Sequence, residues 1–238
     1  MIRLENITHA YRGKQVLRDL TLQVTSGELT CFLGSSGSGK TTLLRLIAGL
    51  EMPEKGRILI DGKTATDGKQ LLIPPHQRDT GFIFQDLALW SHFTVYKNIA
   101  FGLTERKEKD VEKRVMEMLS FFGLESHAGK YPHQLSGGQK QLVAIARSLV
   151  LRPKILLMDE PLANLDVKLK QKILTLIKEL QSKFDLTIVY VTHDQNEAFA
   201  IADKIVVLHE GKIEISGTPE MIRGSENEYV RYFFSGGG

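Results

Sequence analysis

The sequence predicts an α/β fold, with a mixed or parallel sheet and flanking helices, an N-terminal antiparallel β region and a helical insertion. Short extended segments dominate up to about residue 85. Strand patterns disappear over 86–152, where apolar residues recur at helical spacing. From 153 onward strands and helices alternate, which is typical of parallel sheets joined by helical crossovers. We therefore expect one domain over 1–238, with a core formed by 1–85 and 153–238 and a helical subdomain over 86–152.

Length and composition exclude several classes of protein. The chain has 238 residues, of which 42% are hydrophobic and 25% charged, as in ordinary soluble domains. No apolar run approaches the roughly 18 residues that cross a bilayer, and the N-terminus lacks an apolar signal region, so we expect a cytoplasmic protein. The single cysteine, Cys31, is expected to be an inert core thiol. A net charge of +3 is too balanced to indicate nucleic acid as a partner.

The N-terminal part is predicted to consist of strands with one inserted helix. That helix covers 39–50, follows a glycine-rich turn and ends before Pro53, because proline cannot continue a helix. The predicted strands are Ile2–Tyr11, 20–24, 28–33, 56–60 and 81–84.

Two helices are predicted for the middle of the chain. An amphipathic helix begins at Val111, from which apolar residues recur at helical spacing as far as Phe122. A second helix begins near Ser136 and ends before Pro153. The alternating elements that follow are a strand over 155–158, a helix over Val167–Phe184, a strand over 186–191, a helix over 195–202 and a strand over 204–208.

A glycine-rich motif lies between the third predicted strand and the first predicted helix. It is Gly34-Ser35-Ser36-Gly37-Ser38-Gly39-Lys40-Thr41, followed by Thr42. It matches the pattern G-x-x-x-x-G-K-[ST], in which backbone N–H groups and a helix N-terminus surround phosphate oxygens. We expect Lys40 to reach the β- and γ-phosphates of a nucleotide and Thr41 to ligate Mg²⁺. The motif predicts a P-loop NTPase with a RecA-like core, and a flexible Gly/Ser turn is the alternative.

Two carboxylates, Asp159 and Glu160, follow four apolar residues that are typical of a buried parallel strand. Two acids at the end of such a strand are costly unless a positive group lies nearby, and a Mg²⁺ nucleotide would supply one. We expect Asp159 to hold the metal and Glu160 to polarise the attacking water. The alternative is that both acids open the following loop toward solvent.

The pentapeptide Leu135-Ser136-Gly137-Gly138-Gln139 opens the second predicted helix of the insertion. Ser136 can cap that helix, and the two glycines expose backbone donors, which indicates a second phosphate-binding helix start. The pentapeptide and its position, about 20 residues before the carboxylate strand, resemble the signature of the ATP-binding-cassette family. The sequence resembles that family over essentially its whole length, which implies ATP and Mg²⁺ as cofactors and ATPase activity.

Further residues agree with the family pattern and take their expected roles from the resemblance. Tyr11 resembles the aromatic residue that stacks on adenine, and a core tyrosine at a strand end is the alternative. Gln85 resembles the glutamine that ligates Mg²⁺ and senses the γ-phosphate. His193 resembles the histidine that bonds this phosphate and orients the water, although a lone histidine at a strand end is more often structural. Asp166, in the segment 161–166, resembles an aspartate at the dimer interface.

The resemblance implies an active site that one copy of the chain cannot complete. In this family the P-loop and the signature loop of one copy face away from each other. Each ATP is therefore expected between Lys40 of one copy and Ser136 of a second copy, in a head-to-tail homodimer. The resemblance also implies integral membrane permease subunits and a solute-binding protein as partners, and a location at the cytoplasmic face of the cell membrane.

Residues 75–95 are similar to importer ATPases that serve sugars, ferric iron, sulfate and polyamines. Trp90 and Phe93 would line the groove that receives a permease helix, and packing within the insertion is the alternative. Those importers usually carry a C-terminal β-barrel domain, which the sequence up to Gly238 does not contain, so we expect a shorter branch or a truncated chain. The expected function is to energise solute import. An exporter, a lipid- or lipoprotein-translocating ATPase and a non-transport cassette ATPase are the alternatives.

One position departs from the family pattern. Leu142 stands three residues after the signature glutamine, where family members usually carry arginine. Lys140 lies nearby but is predicted on another face of the helix. The contact that such an arginine makes is therefore in doubt, whereas nucleotide binding is not.

Overall fold

The computed structural model of the protein describes residues 1–163 and 165–235. Its strands are β1 (Ile2–Tyr11), β2 (Lys14–Val24), β3 (Leu29–Leu33), β4 (Lys55–Ile60), β5 (Lys63–Asp67), β6 (Gln70–Leu71), β7 (Thr80–Ile83), β8 (Ile155–Asp159), β9 (Thr187–Thr192), β10 (Lys204–His209) and β11 (Lys212–Gly217). Its helices are α1 (Lys40–Ala48), α2 (Val95–Glu105), α3 (Val111–Phe121), α4 (Gly137–Leu149), α5 (Val167–Phe184), α6 (Gln195–Ile201), α7 (Pro219–Arg223) and α8 (Glu228–Phe234).

Two sheets organise the fold. An antiparallel sheet of five strands has the order β2-β1-β4-β5-β6, and a sheet of six strands has the order β11-β10-β3-β9-β8-β7. In the second sheet β10, β3, β9, β8 and β7 run parallel, and β11 pairs antiparallel with β10 at one edge. The predicted α/β class, with an N-terminal antiparallel region and a mixed sheet, is confirmed.

The centre of the second sheet determines where a site can form. Every residue of β3, β8 and β9 is buried, and β9 lies between the other two strands. The carboxyl ends of these parallel strands therefore meet at one edge, which is where open α/β sheets place their ligands. The loops that leave this edge begin at Gly34, Glu160 and His193. Cys31 is fully buried in β3, and burial raises the pKa of its thiol, as expected for an inert core cysteine.

The middle of the chain is helical. Residues 86–152, all of which the structure describes, contain α2, α3 and α4 and no strand. Helix α2 packs against both α3 and α4, and α4 also contacts β7. The longest helix, α5, has 18 residues, but no helix within the described residues combines the length and apolarity needed to span a membrane.

Several elements were missed by the sequence patterns. Strand β2 begins at Lys14, and its first part, before residue 20, was not predicted. In that part its pairing with β1 is irregular and Asp19 has a φ of 51°. Buried and exposed residues therefore alternate regularly only from Leu20. Strand β6 has only two residues, both exposed. Strand β11 was missed although Ile213 and Ile215 alternate with polar residues, and none of its residues is fully buried. Helices α2, α7 and α8 were also not predicted.

A buried arginine fixes the helix that follows the glycine-rich motif. The Arg78 side chain is 2% exposed, and its guanidinium donates to the carbonyl oxygens of Leu46 and Ile47 in the last turn of α1, at 3.2 and 2.7 Å. The Leu46 carbonyl also accepts from the backbone N–H of Gly49, at 3.1 Å. The guanidinium supplies a donor to both last-turn carbonyls and opposes the negative end of the helix dipole. Burial lowers the pKa of Arg78 to about 10. Helix α1 is thereby held against the antiparallel sheet, where Arg78 also bonds the Thr66 hydroxyl at 2.6 Å.

Candidate functional site

The glycine-rich motif forms a tight loop between β3 and α1. Gly34 and Gly39 both have positive φ angles, 157° and 101°. A Cβ atom on Gly34 would lie 2.2 Å from the Leu208 carbonyl oxygen, and one on Gly39 would lie 2.7 Å from a methyl carbon of Leu17. Glycine is therefore required at both positions for backbone conformation and for space.

The loop directs backbone donors into a cavity. Of the described residues, none accepts a hydrogen bond from the backbone N–H groups of Ser36, Gly37 and Gly39, and α1 has no side-chain cap at its N-terminus. These three residues line a cavity of about 720 Å³, together with Tyr11, Gln15, Lys40, Thr41, Thr42, Gln85 and Glu160 among others. Unpaired N–H groups at a helix N-terminus attract anions, so the cavity fits the phosphate groups of a nucleotide.

The Lys40 side chain packs back against the loop that precedes it. Its side chain is buried, and its Nζ atom donates to the carbonyl oxygens of Gly34 and Ser35 at 2.7 and 2.8 Å. Burial lowers the pKa of the ammonium group, and the nearby carboxylates of Glu160 and Asp159 oppose that shift. The ammonium group therefore lies between the loop carbonyls and the acids that follow β8, at the edge of the cavity.

Thr41 and Asp159 are in direct contact. The Thr41 hydroxyl donates to Asp159 Oδ1 at 2.8 Å, and Asp159 is 4% exposed. Burial raises the pKa of this carboxyl group, and the Thr41 hydrogen bond lowers it in part. Both residues line a second cavity of about 470 Å³ with Gln85. Hydroxyl, carboxylate and amide oxygens are the ligands that Mg²⁺ prefers, so these three residues fit that ion.

Three polar side chains meet beside the 720 Å³ cavity. His193 Nδ1 lies 3.2 Å from Glu160 Oε2, and Gln85 Nε2 donates to the same oxygen at 3.5 Å. Glu160 has a φ of 42°, in the left-handed region that is strained for a residue other than glycine. The structure therefore brings together Gln85, Glu160 and His193, three residues far apart in the sequence that were predicted to be catalytic.

A buried network beneath His193 was missed by the sequence analysis. Glu197 is 4% exposed, and its Oε2 atom accepts hydrogen bonds from the hydroxyls of Tyr190 and Thr192 at 2.8 and 2.9 Å. Its Oε1 atom accepts from Lys170 Nζ at 2.7 Å. Because Thr192 directly precedes His193, the network ties the end of β9 to α6 and α5. An acid on the polar side of a short helix gives no sequence signal of this role.

Tyr11 lies at the outer edge of the cavity. Its side chain is 41% exposed, so the alternative of a core tyrosine is not what the structure shows. The hydroxyl donates to Glu51, and the ring contacts His9 edge to face with centroids 4.8 Å apart. The carboxylate of Glu51 therefore fixes the direction of a ring that borders the cavity. Sequence reasoning did not identify Glu51.

The signature pentapeptide does not line the 720 Å³ cavity. Ser136 caps α4, with its hydroxyl accepting from the Gln139 backbone N–H at 3.3 Å while Gln139 Oε1 accepts from the Ser136 N–H at 2.9 Å. A Cβ atom on Gly138 would lie 2.7 Å from a methyl carbon of Leu169, so this glycine leaves room for the Leu169 side chain of α5 to pack against α4. The described residues around the 720 Å³ cavity include none from 136–139.

Asp166 is also outside the cavity. Its carboxylate caps α5 by accepting from the Leu169 backbone N–H at 3.0 Å, and its side chain is exposed. Asn164, in the same segment 161–166, lies outside the described residues. Within one chain the structure thus assembles the P-loop, Tyr11, the two acids, Gln85 and His193. Residues 136–139 and Asp166 do not line the 720 Å³ cavity.

An aromatic surface follows Gln85. The Trp90 ring lies 4.6 Å from Phe101 and 5.8 Å from Phe93, measured between centroids, and Phe101 is 37% exposed. The buried Asn98 side chain, which sequence reasoning missed, holds this segment by accepting from the Trp90 N–H at 3.0 Å and donating to three of its carbonyls. Leu142 is half-buried and packs against the apolar core.

Comparison with known proteins places the chain in a family. The family model described as "ABC transporter" matches residues 17–163. The spermidine/putrescine import ATP-binding protein PotA of Vibrio cholerae is 44% identical over 236 residues, which are 98% of this chain and 61% of that protein. The sulfate/thiosulfate import ATP-binding protein CysA of Bacillus cereus is 43% identical over 99% of this chain and 66% of its own length. The chain thus spans about two thirds of the length of these relatives or slightly less.

Solved structures agree in fold. A dimeric ATP-binding cassette, MJ0796, in a post-hydrolysis state bound to ADP and Pi is 34% identical with a TM-score of 0.81, and the match covers 92% of this chain and 99% of that one. The protein cbiO1 of Clostridium perfringens, part of the ABC transporter complex cbiONQ, is 32% identical with a TM-score of 0.85, covering 98% and 94%. The family model covers more than half of the chain and the relatives cover nearly all of it, and we conclude that the chain belongs to the ABC transporter family, as an ATP-binding domain.

Proposed function

We propose that the chain binds ATP with Mg²⁺ in the 720 Å³ cavity and hydrolyses it. The observation that carries this proposal is the meeting of Gln85, Glu160 and His193 beside the P-loop cavity. Ser35, Ser36, Gly37, Ser38 and Gly39 surround the phosphate groups, with Lys40 and Thr42 beside them. The half-exposed ring of Tyr11 at the cavity edge is the surface on which adenine stacks.

Glu160 is the general base of the proposed reaction. Its carboxylate accepts a proton from the attacking water, and the buried strand β8 and the contact with His193 hold it in place. His193 orients the water and bonds the γ-phosphate, while the Glu197 network fixes the backbone from which it extends. A positively charged Lys40 stabilises charge on the β- and γ-phosphates.

Thr41, Gln85 and Asp159 are the residues that would hold Mg²⁺. Among the described residues there is no group of three or more His, Cys, Asp and Glu side chains that could bind a metal alone. Asp159 is the single carboxylate of this set, and Mg²⁺ is usually bound by one or two carboxylates together with substrate phosphates and water. When bound, the ion would neutralise negative charge on the phosphate groups.

A second copy of the chain completes the proposed site. The capped start of α4 does not border the cavity of its own chain; it consists of Ser136, Gly137, Gly138 and Gln139. Asp166, which is close to Glu160 in the sequence, is exposed. We assign these residues to the ATP of the partner copy in a head-to-tail dimer. The dimeric state of the similar cassette with ADP and Pi supports this arrangement.

The dimer requirement predicts a concentration-dependent activity. We expect the rate of MgATP hydrolysis per chain to rise with protein concentration, because only paired chains hold complete sites. Phosphate release measured from well below to well above the dimerisation range checks this expectation, with light scattering at each concentration. A constant rate per chain from a demonstrated monomer would contradict the dimer, whereas no hydrolysis at any concentration would contradict the ATPase assignment.

We further propose that this ATPase energises solute import at the cytoplasmic face of the cell membrane, through permease subunits and with a solute-binding protein. The importer names of the relatives support this proposal. The aromatic surface of the half-buried Trp90 and Phe93 and the exposed Phe101 is where a permease helix would dock.

Isolation from native membranes tests the transport proposal. We expect the tagged chain to be recovered in mild detergent with integral membrane subunits, and replacement of Phe101 by Asp to abolish that recovery, because a charge would enter an apolar contact. Replacement of the exposed Met116 by Asp, on α3, is the control. Recovery without membrane subunits, or equal recovery of both variants, would contradict the proposed docking surface.

A further inference from the structure

The segment after Gln85 is strained. The backbone N–H of Leu87 donates to the Phe84 carbonyl at 2.9 Å, which closes a turn over residues 84–87 that contains Gln85. Leu87 and Ala88 have φ angles of 62° and 42°, in the left-handed region that disfavours side chains with a Cβ atom. Two consecutive residues of this kind persist only where the surrounding structure holds them. The direction of Gln85 therefore depends on whatever holds this turn.

Arg147 is the side chain that holds it. The guanidinium donates to the Leu87 carbonyl at 2.7 Å and to the Ala88 carbonyl at 2.6 Å, so both strained peptide groups are bonded to one planar group. The same guanidinium lies over the Trp90 ring, 4.9 Å from its centroid. No salt bridge joins Arg147 to any residue that the structure describes. Its charge is directed to the turn and to the aromatic ring.

Arg147 belongs to the helix that the signature loop begins. Helix α4 starts after its cap, Ser136, and a rigid helix of this kind spans about 16 Å from that residue to Arg147. The same helix lies beside the turn that contains Gln85. This is shown by a cavity of about 260 Å³, which Gly137 and Gln141 line together with Gln85. A shift of α4 must therefore move the group that holds the turn.

We propose that Arg147 is a positioning residue that fixes the turn at Leu87 and Ala88 and thereby sets the direction of Gln85 in the ATP cavity. Because Arg147 belongs to α4 and its guanidinium contacts the Trp90 ring, it also connects α4 and the aromatic surface to that turn. This inference rests on the proposed function, in which Gln85 contacts the nucleotide site. Arginine is required because a lysine ammonium cannot bond both carbonyls in one plane and cover the ring.

The first experiment uses Trp90, the single tryptophan of the chain. We expect Arg147→Lys to raise the acrylamide quenching constant of Trp90 about twofold in the nucleotide-free protein, because the guanidinium no longer covers the ring. Arg114→Lys is the matched control, since Arg114 also donates to a backbone carbonyl, that of Val150 at 2.6 Å, but lies on α3. Unchanged quenching in Arg147→Lys would overturn the proposal whether or not the chain hydrolyses ATP.

The second experiment asks whether Arg147 acts through Gln85. We expect Arg147→Lys to lower kcat for MgATP about tenfold with KM changed less than twofold, and to lower kcat less than twofold in a Gln85→Ala background. Two residues that act as one unit give such non-additive losses. Equal fold losses in both backgrounds would show a purely structural role and overturn the proposal. Hydrolysis absent from the parent chain would contradict the proposed function instead, and the quenching result would then decide alone.

Discussion

Replacement of Glu160 by Gln is expected to abolish ATP hydrolysis while leaving ATP binding intact. The amide cannot accept the proton of the attacking water, and loss of a general base lowers the rate on the order of 10²-fold or more. The P-loop donors and the hydrogen bonds of Lys40 to the loop carbonyls do not involve this carboxylate, so we expect ATP to remain bound. Because bound ATP holds the two copies together in the proposed dimer, the variant should accumulate as a dimer. Size-exclusion chromatography with MgATP, together with phosphate release, measures both effects.

The control for this variant is Glu54→Gln, a change of the same chemistry at an exposed position before β4. We expect it to hydrolyse ATP at the parental rate and to elute as the parent does. A Glu160→Gln protein that stays monomeric with saturating MgATP would count against the link between ATP and dimerisation. Substantial residual hydrolysis would assign the base to another residue.

Replacement of Lys40 by Ala is expected to remove ATP binding. The variant loses the ammonium group that lies between the loop carbonyls and the acids, and it leaves the carbonyls of Gly34 and Ser35 without their donor. We expect the Kd for ATP to rise roughly 100-fold, which is about 3 kcal/mol. Isothermal titration calorimetry with ATP measures this directly. The variant should also remain monomeric with ATP, unlike Glu160→Gln.

Lys204→Ala is the matched control, because Lys204 Nζ also donates to a backbone carbonyl, that of Gln23 at 3.0 Å, but at the start of β10. Its affinity for ATP should equal that of the parent. Similar loss of affinity in both variants would indicate a general effect of removing a lysine from the fold. Unchanged affinity in Lys40→Ala would exclude the P-loop lysine from phosphate binding.

Much of the fold and of the candidate site could be predicted because the signals are local. A strand, a glycine-rich loop and a helix follow one another at residues 29–48, and each step leaves a pattern in adjacent residues. Asp159 and Glu160 stand directly after a buried strand for the same reason. By contrast, β6 has only two residues and β11 has a short alternation of two isoleucines without a fully buried residue. Both strands depend on pairing with neighbouring strands, and such short patterns are weak signals in a single sequence.

The contacts that hold the candidate site could not be predicted because they join distant parts of the chain. Arg147 bonds the Leu87 carbonyl 60 positions away, and Arg78 reaches Ile47 across 31 positions. Glu197 accepts from Lys170 27 positions away. Each of these side chains is an ordinary charged residue on or next to a helix or short turn, which by itself predicts only exposure to solvent.

By itself the sequence determined the class of fold, the P-loop, the carboxylates after β8 and the family, because each depends on the order and spacing of nearby residues. The tertiary structure alone decided that Gln85, Glu160 and His193 meet, and that residues 136–139 do not line the 720 Å³ cavity of their own chain. It also decided that Arg147 holds the strained turn after Gln85 and that Arg78 holds the end of α1. The physical reason is that the sheet order β3-β9-β8 and the packing of α4 bring separate segments to one edge, and hydrogen bonds between buried groups then fix their directions.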